Sequence, residues 1–291
     1  MLIVPSGICL PEEVPVHSVR FSNCEKSFSF RVLRLDLIHP VYGGNKLFKL
    51  LDNVRDFLER GYDGILSFGG AFSNHIAALA AVGQQIGIPT TGIIRGEASA
   101  ADNPTLKRAS AMGMRLEFVN RVEYRRLRAS GNTTELQRRY GNFLIVPEGG
   151  SNPSGIAGCR RIADYVPDDA KVVVMAVGTG ATCVGLRQGL PPDKWIWGLK
   201  VLEARQENLW HDDPQSGIGW IDRFTFGGYA KSTAELDVFV QEWNRQTDIR
   251  IEPVYTGKLF FGVIRLMEEG ILPFGEETLV IHTGGLQYLM D

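Results

Sequence analysis

From residue 64 onward, short apolar runs rich in β-branched and aromatic residues alternate with longer segments whose apolar residues recur at helical spacing. Most runs end in glycine or a small polar residue, which is typical of strands in a parallel sheet. The predicted strands are residues 65–68, 90–95, 115–119 and 143–146, and the predicted helices between them are residues 73–86, 103–112 and 133–140. The pattern therefore predicts one open sheet that is flanked by helices.

A second set of apolar runs predicts another sheet, at residues 171–177, 195–202, 223–226, 249–254 and 278–282. The earlier run at 32–37 is expected to join this sheet, so that the first sheet lies in an insertion. We therefore predict an α/β fold with two lobes, each an open parallel sheet flanked by helices. The large lobe is expected to comprise residues 1–50 plus 148–291, and the small inserted lobe residues 51–147.

Composition narrows the function to an enzyme or binding protein for small molecules. The 291 residues are 44% hydrophobic and 22% charged, with a net charge of −2, so no strong field attracts nucleic acid or an anionic membrane. No run approaches the ~20 apolar residues of a membrane span. The cysteines at positions 9, 24, 159 and 183 are scattered, without the spacing of a metal site or a disulfide framework. We expect a cytoplasmic protein with reduced thiols and no metal.

The segment VGTGAT follows a predicted strand and precedes a predicted helix. Backbone N–H groups at a helix start attract anions, and glycines at 178 and 180 allow close approach, so the loop predicts a phosphate site. A tight turn that binds nothing is an equally good interpretation. The loop lacks the full spacing of the dinucleotide and nucleoside-triphosphate motifs. Its residues are Val177, Gly178, Thr179, Gly180, Ala181 and Thr182.

The segment SFGGAFSNH has the same order of strand, loop and helix. Ser73 and Asn74 stand at the predicted helix start, where hydroxyl and amide groups would add hydrogen bonds to a bound carboxylate. Spacing alone favours simple helix capping by Ser73. His75 is more typical of a packed or capping residue than of a catalyst.

Lys46 follows Gly43, Gly44 and Asn45 at the start of another predicted helix. Helix starts disfavour cations, so this position favours the neutral amine that bonds to an aldehyde cofactor. A solvated lysine at the edge of a loop is the alternative. Lys49, three residues further on in the same predicted helix, serves as the control for this alternative.

Taken together and in this order, the three loops resemble those of pyridoxal-phosphate enzymes with the tryptophan synthase β-subunit fold, also called fold type II. Within that class the chain is most similar to the family of 1-aminocyclopropane-1-carboxylate deaminases and D-cysteine desulfhydrases. The resemblance spans nearly the whole chain. Beyond the three loops, which include GGNK at 43–46, the matching motifs are LRLDL at 33–37 (in part), PEGGSNPSG at 147–155, GGY at 227–229, PVYTGK at 253–258 and HTGG at 282–285.

The resemblance implies a role for each matched residue. Lys46 would hold pyridoxal 5'-phosphate as a Schiff base and later move protons at the substrate α-carbon. Ser73 would bind the substrate carboxylate and also act as a nucleophile or an acid-base partner. Asn74 would bond the phenolic oxygen of the cofactor. The glycine loop would bind the phosphate. The remaining predicted site residues are Tyr229 as a substrate contact, Tyr255 near the pyridine ring and Thr283 at the ring nitrogen.

The resemblance also bears on the reaction. Family deaminases carry an acidic residue directly after the tyrosine that matches Tyr255, whereas this chain has Thr256. A neutral hydroxyl favours α,β-elimination of a small amino acid to a 2-oxo acid and ammonia, as in D-cysteine desulfhydrases, over cyclopropane opening. A change at Thr256 without functional consequence is almost as good an interpretation.

Four alternatives to a desulfhydrase-like lyase remain. They are a 1-aminocyclopropane-1-carboxylate deaminase, an amino-acid racemase, a cofactor-binding protein without turnover and, with least support, a nucleotide-binding enzyme. The chain also departs from the family pattern at Leu35, at Phe72, at residues 76–78 and in the short segment 203–220. The resemblance implies a homodimer.

Overall fold

The computed structural model describes residues 7–97, 102–129, 133–202, 216–228 and 230–285. The chain divides into two compact units. The first is built mainly from residues 39–158, and the second from residues 13–38 and 159–286. The predicted lobe boundaries after residues 50 and 147 stay a prediction, because these units are defined by compactness and the predicted lobes by their roles.

The strands are β1 (Val16–Ser22), β2 (Ser27–Arg34), β3 (Gly64–Gly70), β4 (Thr90–Arg95), β5 (Arg115–Val119), β6 (Phe143–Val146), β7 (Val172–Val177), β8 (Trp195–Lys200), β9 (Ile218–Ile221) and β10 (Gly275–His282). The helices are α1 (Asn45–Arg60), α2 (Asn74–Ile86), α3 (Pro104–Ala111), α4 (Arg121–Arg128), α5 (Thr133–Tyr140), α6 (Pro153–Arg160), α7 (Ala181–Gly189), α8 (Ala234–Gln246) and α9 (Thr256–Glu268).

The first unit contains a parallel four-stranded sheet in the order β5-β4-β3-β6. All four strands and the three helices predicted around them are confirmed. Helix α2 begins where the Ser73 side chain caps it and ends at Gly87, which adopts φ 71°. The carboxyl ends of the parallel strands, where binding residues collect, therefore lie together at one edge of the sheet.

The second unit contains a six-stranded sheet in the order β1-β2-β10-β7-β8-β9. Strand β2 pairs in parallel with β10 and antiparallel with β1. The prediction that the run at 32–37 joins this sheet is confirmed for its first part. The strand ends at Arg34, and Leu35–Leu37 form a 3-10 turn with Leu35 fully buried.

Two predicted strands of the second sheet are wrong. Residues 223–226 form turns, with Phe224 and Phe226 packed on the Phe261 ring. The strand that follows β8 is β9, a few residues earlier in the chain. Residues 249–254 lack a strand partner because side chains satisfy their backbone. The Trp243 indole donates to Ile249 O at 2.7 Å, and Asn244 bonds both the N–H and the carbonyl of Ile251.

Aromatic packing fixes α9 in the second unit. The Trp243 and Phe260 rings lie 4.5 Å apart, and the apolar face of α9 is buried against the sheet. This packing holds the start of α9, and with it Tyr255, in one position. Among the described residues, no helix is long and apolar enough to cross a membrane.

Candidate active site

Lys46 lies where the sequence predicts it, in the first turn of α1. The helix begins at Asn45 after Gly44, whose φ of 80° suits glycine. The Lys46 side chain is half-buried, and its Nζ donates to Asn45 Oδ1 at 2.7 Å. The amine is therefore held at a helix start, on a side chain that is only partly buried.

Three other lysines are buried and bind backbone carbonyl groups. Lys49 Nζ donates to Gly149 O at 2.9 Å, and Lys194 Nζ donates to three carbonyls that include Ala170 O. Lys258, fully buried, donates to Val201 O, Thr225 O and Gly228 O. Burial lowers the pKa of Lys258 to about 8, and the Glu252 charge opposes this shift. These amines support the backbone, whereas Lys46 is only half-buried.

Ser73 and Asn74 form the start of α2. Ser73 Oγ accepts from Ile76 N at 3.3 Å, so the predicted capping role is confirmed, and the hydroxyl proton can still be donated to another group. Asn74 is half-buried, and its side-chain amide has no hydrogen-bond partner among the residues that the structure describes. The helix start and these two polar groups together can hold an anion.

His75 packs behind this helix start as a neutral side chain. Ser67 Oγ donates to Val146 O at 2.8 Å and therefore accepts from His75 Nε2, 2.9 Å away. His75 Nδ1 is then unprotonated, and it is buried without a partner. Burial, and secondarily the charges of Lys46 and Lys49, lower the pKa of His75 to about 3. The prediction that His75 is a packed residue agrees with this geometry.

In the second unit, the loop after β7 has the geometry of an anion site. Gly180 adopts φ 96° and precedes α7, and no side chain caps the helix. A Cβ at Gly178 would lie 3.4 Å from Leu202 Cδ1 and 3.7 Å from Tyr255 Cε1, so the loop passes beside the Tyr255 ring. An uncapped helix start next to an aromatic ring fits a phosphorylated aromatic cofactor.

A buried carboxylate, which the sequence analysis did not identify, lies at the start of α9. Glu252 accepts from Tyr255 N and Thr256 N at 2.8 Å, and it also accepts from Thr256 Oγ1 at 3.2 Å. The Thr256 hydroxyl in turn accepts from Glu252 N at 3.0 Å. Thr256 is fully buried, so its proton is used inside the protein. No local sequence signal reveals this contact, because Glu252 lies inside the run 249–254 that predicts a strand.

Thr283 follows the buried His282 at the end of β10. His282 Nε2 donates to Arg250 O at 2.9 Å, and Asp36 Oδ1 lies 3.3 Å from His282 Nδ1. This network fixes the backbone next to Thr283, which is half-buried and has no hydrogen-bond partner within the described part of the chain. Tyr229, another predicted site residue, lies outside the described residues.

Comparison with known proteins identifies the family. A family model described as pyridoxal-phosphate dependent enzyme matches residues 19–209. The chain belongs to this family. The cofactor is therefore pyridoxal 5'-phosphate. The chain offers a half-buried lysine at a helix start, a glycine loop without a side-chain cap and half-buried polar groups, all of which fit it.

The chain is similar over nearly its full length to curated proteins. It is 31% identical to a Pyrococcus abyssi protein provisionally named 1-aminocyclopropane-1-carboxylate deaminase, over 97% of this chain and 92% of that one. It is 25% identical to the bifunctional D-cysteine desulfhydrase/1-aminocyclopropane-1-carboxylate deaminase of Arabidopsis thaliana, over 95% and 77%. It is 26% identical to a D-cysteine desulfhydrase of Yersinia pestis, over 87% and 86%.

Solved structures confirm the predicted fold class. A crystal structure of an ACC deaminase homologue superposes with a TM-score of 0.77 at 25% identity, covering 96% of this chain and 91% of that chain. A threonine deaminase from Solanum lycopersicum superposes with a TM-score of 0.62 at 14% identity, covering 88% and 74%, and at this identity it supports the fold alone. The prediction of a two-sheet, fold type II pyridoxal-phosphate enzyme is thus confirmed.

Proposed function

We propose that this enzyme eliminates a β-substituent from a small amino acid, as a D-cysteine desulfhydrase does. The products are a 2-oxo acid and ammonia, with hydrogen sulfide when the substrate is cysteine. The observation that carries this choice is the buried Thr256 hydroxyl, whose proton is donated to Glu252. By the family resemblance, this neutral threonine stands where a deaminase would place an acid.

We assign the predicted residues to the cofactor and the substrate as follows. Lys46 holds the cofactor aldehyde, and the loop from Val177 to Thr182 holds the phosphate. Asn74, Tyr255 and Thr283 contact the ring. When bound, pyridoxal 5'-phosphate supplies an electron sink for charge that develops at the substrate α-carbon. The fit of the glycine loop beside the Tyr255 ring supports this assignment.

The protein groups then handle the proton and the leaving group. The Lys46 amine, at the start of α1, accepts the α-proton. The thiolate of a cysteine substrate leaves from the β-carbon with a proton, as hydrogen sulfide. One water then releases the 2-oxo acid and ammonia, which balances the reaction. Ser73 and Tyr229 are proposed to orient the substrate and to take part in proton transfer.

The ring nitrogen explains the preference for elimination over cyclopropane opening. A nearby carboxylate would keep this nitrogen protonated and strengthen the electron sink. Thr256 cannot donate to the nitrogen while its proton is bound by Glu252, and Thr283 offers only a neutral hydroxyl. A good leaving group such as a thiolate tolerates this weaker sink better than the carbon–carbon bond of a cyclopropane.

The second candidate function is 1-aminocyclopropane-1-carboxylate deamination. The name of the Pyrococcus abyssi relative favours it, since that protein is 31% identical to this chain. A racemase would share the first proton transfer and differ in its product. We also propose a homodimer, which the family resemblance supports.

Product analysis tests the proposed function. The purified protein is loaded with pyridoxal 5'-phosphate and incubated separately with D-cysteine, L-cysteine and 1-aminocyclopropane-1-carboxylate. We expect sulfide and pyruvate from one cysteine enantiomer and much slower release of 2-oxobutanoate. Faster 2-oxobutanoate release would favour the deaminase, and inversion of an amino acid without sulfide would favour a racemase. Absence of every product would leave cofactor binding without turnover.

The Gly178→Ala variant tests the phosphate site. The added Cβ would make only ordinary van der Waals contacts, at 3.4 and 3.7 Å, so the fold should tolerate it. If the loop binds the phosphate, the methyl group interferes with the close approach, and the cofactor dissociation constant should rise by about tenfold or more. An unchanged dissociation constant would remove the loop from the site.

A further inference from the structure

We propose that Arg95 binds the carboxylate of the amino-acid substrate and so selects amino acids over amines. This inference rests on the proposed function and deepens it. Arg95 is the last residue of β4, and in the sheet register it pairs with Gly70, the last residue of β3. The carboxyl ends of neighbouring parallel strands meet at one edge, so Arg95 lies at the edge where the chain turns into α2.

The guanidinium group extends toward the loop before Ser73. A Cβ placed on Gly70 would lie 3.6 Å from Arg95 Nη2. Ser73 follows Gly70 by three residues, and Ser73 N donates back to Gly70 O at 3.1 Å. The cation is therefore beside the same short loop that presents Ser73 and Asn74.

The charge of Arg95 is available for a ligand. Its side chain is half-buried and stacks over the Tyr124 ring, with Cζ 5.7 Å from the ring centroid. No carboxylate pairs with it within the part of the chain that the structure describes. By contrast, the nearby Arg128 is paired with Glu148 at 2.6 Å. A guanidinium that is held by an aromatic ring and lacks a carboxylate is well suited to bind one in two hydrogen bonds.

The start of α2 supplies no cation of its own. Ile76, Ala77 and Ala78, the residues after His75, are buried and apolar. His75 is neutral because its pKa is lowered to about 3. The backbone N–H groups and the Ser73 hydroxyl provide dipoles only, so Arg95 adds a full positive charge beside the loop that precedes this helix start.

The test compares two ligands that differ by the carboxylate. Alanine, in each enantiomer, and ethylamine are titrated into the cofactor-loaded protein, and the change in visible absorption gives equilibrium dissociation constants without turnover. In the Arg95→Gln variant, the dissociation constant for alanine should rise about 10- to 100-fold, because a charge-assisted hydrogen bond is lost. The dissociation constant for ethylamine should stay within about threefold of the wild-type value. The alanine affinity of the Arg95→Lys variant should lie between those of the wild type and the Arg95→Gln variant.

Arg115→Gln is the matched control. Arg115 lies on the same sheet at the start of β5, therefore at the opposite edge, and likewise stacks over a tyrosine, Tyr140. The Arg115→Gln variant should bind both alanine and ethylamine with the wild-type affinity. Equal weakening of alanine and ethylamine by Arg95→Gln, or no weakening, would overturn the proposal. If Arg95→Gln does not fold, an unchanged alanine affinity in Arg95→Lys would overturn it. A colourless wild-type protein would instead contradict the proposed function.

Discussion

The neutral, buried His75 makes the first unit sensitive to acid. An unfolded histidine binds a proton below about pH 6.5, whereas burial first, and then the Lys46 and Lys49 charges, lower the pKa of folded His75 to about 3. Between these values the unfolded state binds more protons, so the free energy of unfolding falls as the pH falls. This one group should remove about 1.4 kcal/mol at pH 5.5 and about 2 kcal/mol at pH 5.0.

The His75→Gln variant isolates this effect. Glutamine keeps an N–H donor for Ser67 Oγ, 2.9 Å from His75 Nε2 in the folded protein, and does not titrate. The variant should be less stable than wild type at pH 7.5, because its fit is poorer. The difference should shrink by about 1.4 kcal/mol on lowering the pH to 5.5, since only the wild type loses the histidine contribution.

Native-state hydrogen exchange of amides in β3 and α2 measures the relevant opening free energy. Tryptophan fluorescence serves as a control for the second unit, because all five tryptophans lie between residues 195 and 243. Lowering the pH should change the fluorescence-detected unfolding transition by the same amount in the wild type and the His75→Gln variant. A wild-type minus variant difference that stays constant between pH 7.5 and 5.5, or that widens, would refute the neutral buried histidine.

Three further substitutions have definite expected outcomes. Gly158→Ala would place a Cβ 1.9 Å from Phe48 O, and hydrogen exchange in α1 should report a loss of about 1–3 kcal/mol; no loss would contradict the packing. Lys258→Met leaves three buried carbonyls without their donor, so urea unfolding followed by tryptophan fluorescence should report a loss of about 3 kcal/mol, and an unchanged midpoint would contradict that role. Thr256→Glu puts a second carboxylate beside buried Glu252, so the melting temperature should fall by several degrees. A rise in the melting temperature would argue against the Glu252 geometry.

The sequence predicted the first sheet well because its strands are continuous apolar runs with clear ends. Strands β4, β5 and β6 and helix α5 begin and end at the predicted residues. Helix α4 was missed because its eight residues are largely charged, and only Tyr124 and Leu127 are buried. Such a helix depends on tertiary contacts and the Asn120 cap more than on periodicity.

The errors in the second sheet have a different cause. Residues 249–254 have the apolar alternation of a strand, but Trp243 and Asn244 satisfy their backbone, which no local pattern reveals. The sequence separated Lys46 from Lys49 by its place at the helix start and by the resemblance, but it could not show that Lys49 is buried. The distinction arises from burial and from the Gly149 carbonyl, which is distant in sequence from Lys49.

Candidate site residues were predicted from loop position and family resemblance, and Arg95 was not among them. Its position beside Gly70 depends on the pairing of β3 with β4, a register that a single sequence does not specify. Glu252 was missed for a related reason, because its contacts with Thr256 are visible only once the chain before α9 is known not to be a strand.

The most direct test of the account is the visible absorption spectrum of the wild-type, Lys46→Ala and Lys49→Met proteins after incubation with pyridoxal 5'-phosphate. A lysine-bound cofactor is yellow, and we propose that Lys46 supplies the amine, whereas the Lys49 amine is buried against Gly149 O. The account predicts yellow wild-type and Lys49→Met proteins and a Lys46→Ala protein without the band. A yellow Lys46→Ala protein, or a colourless wild type, would contradict it.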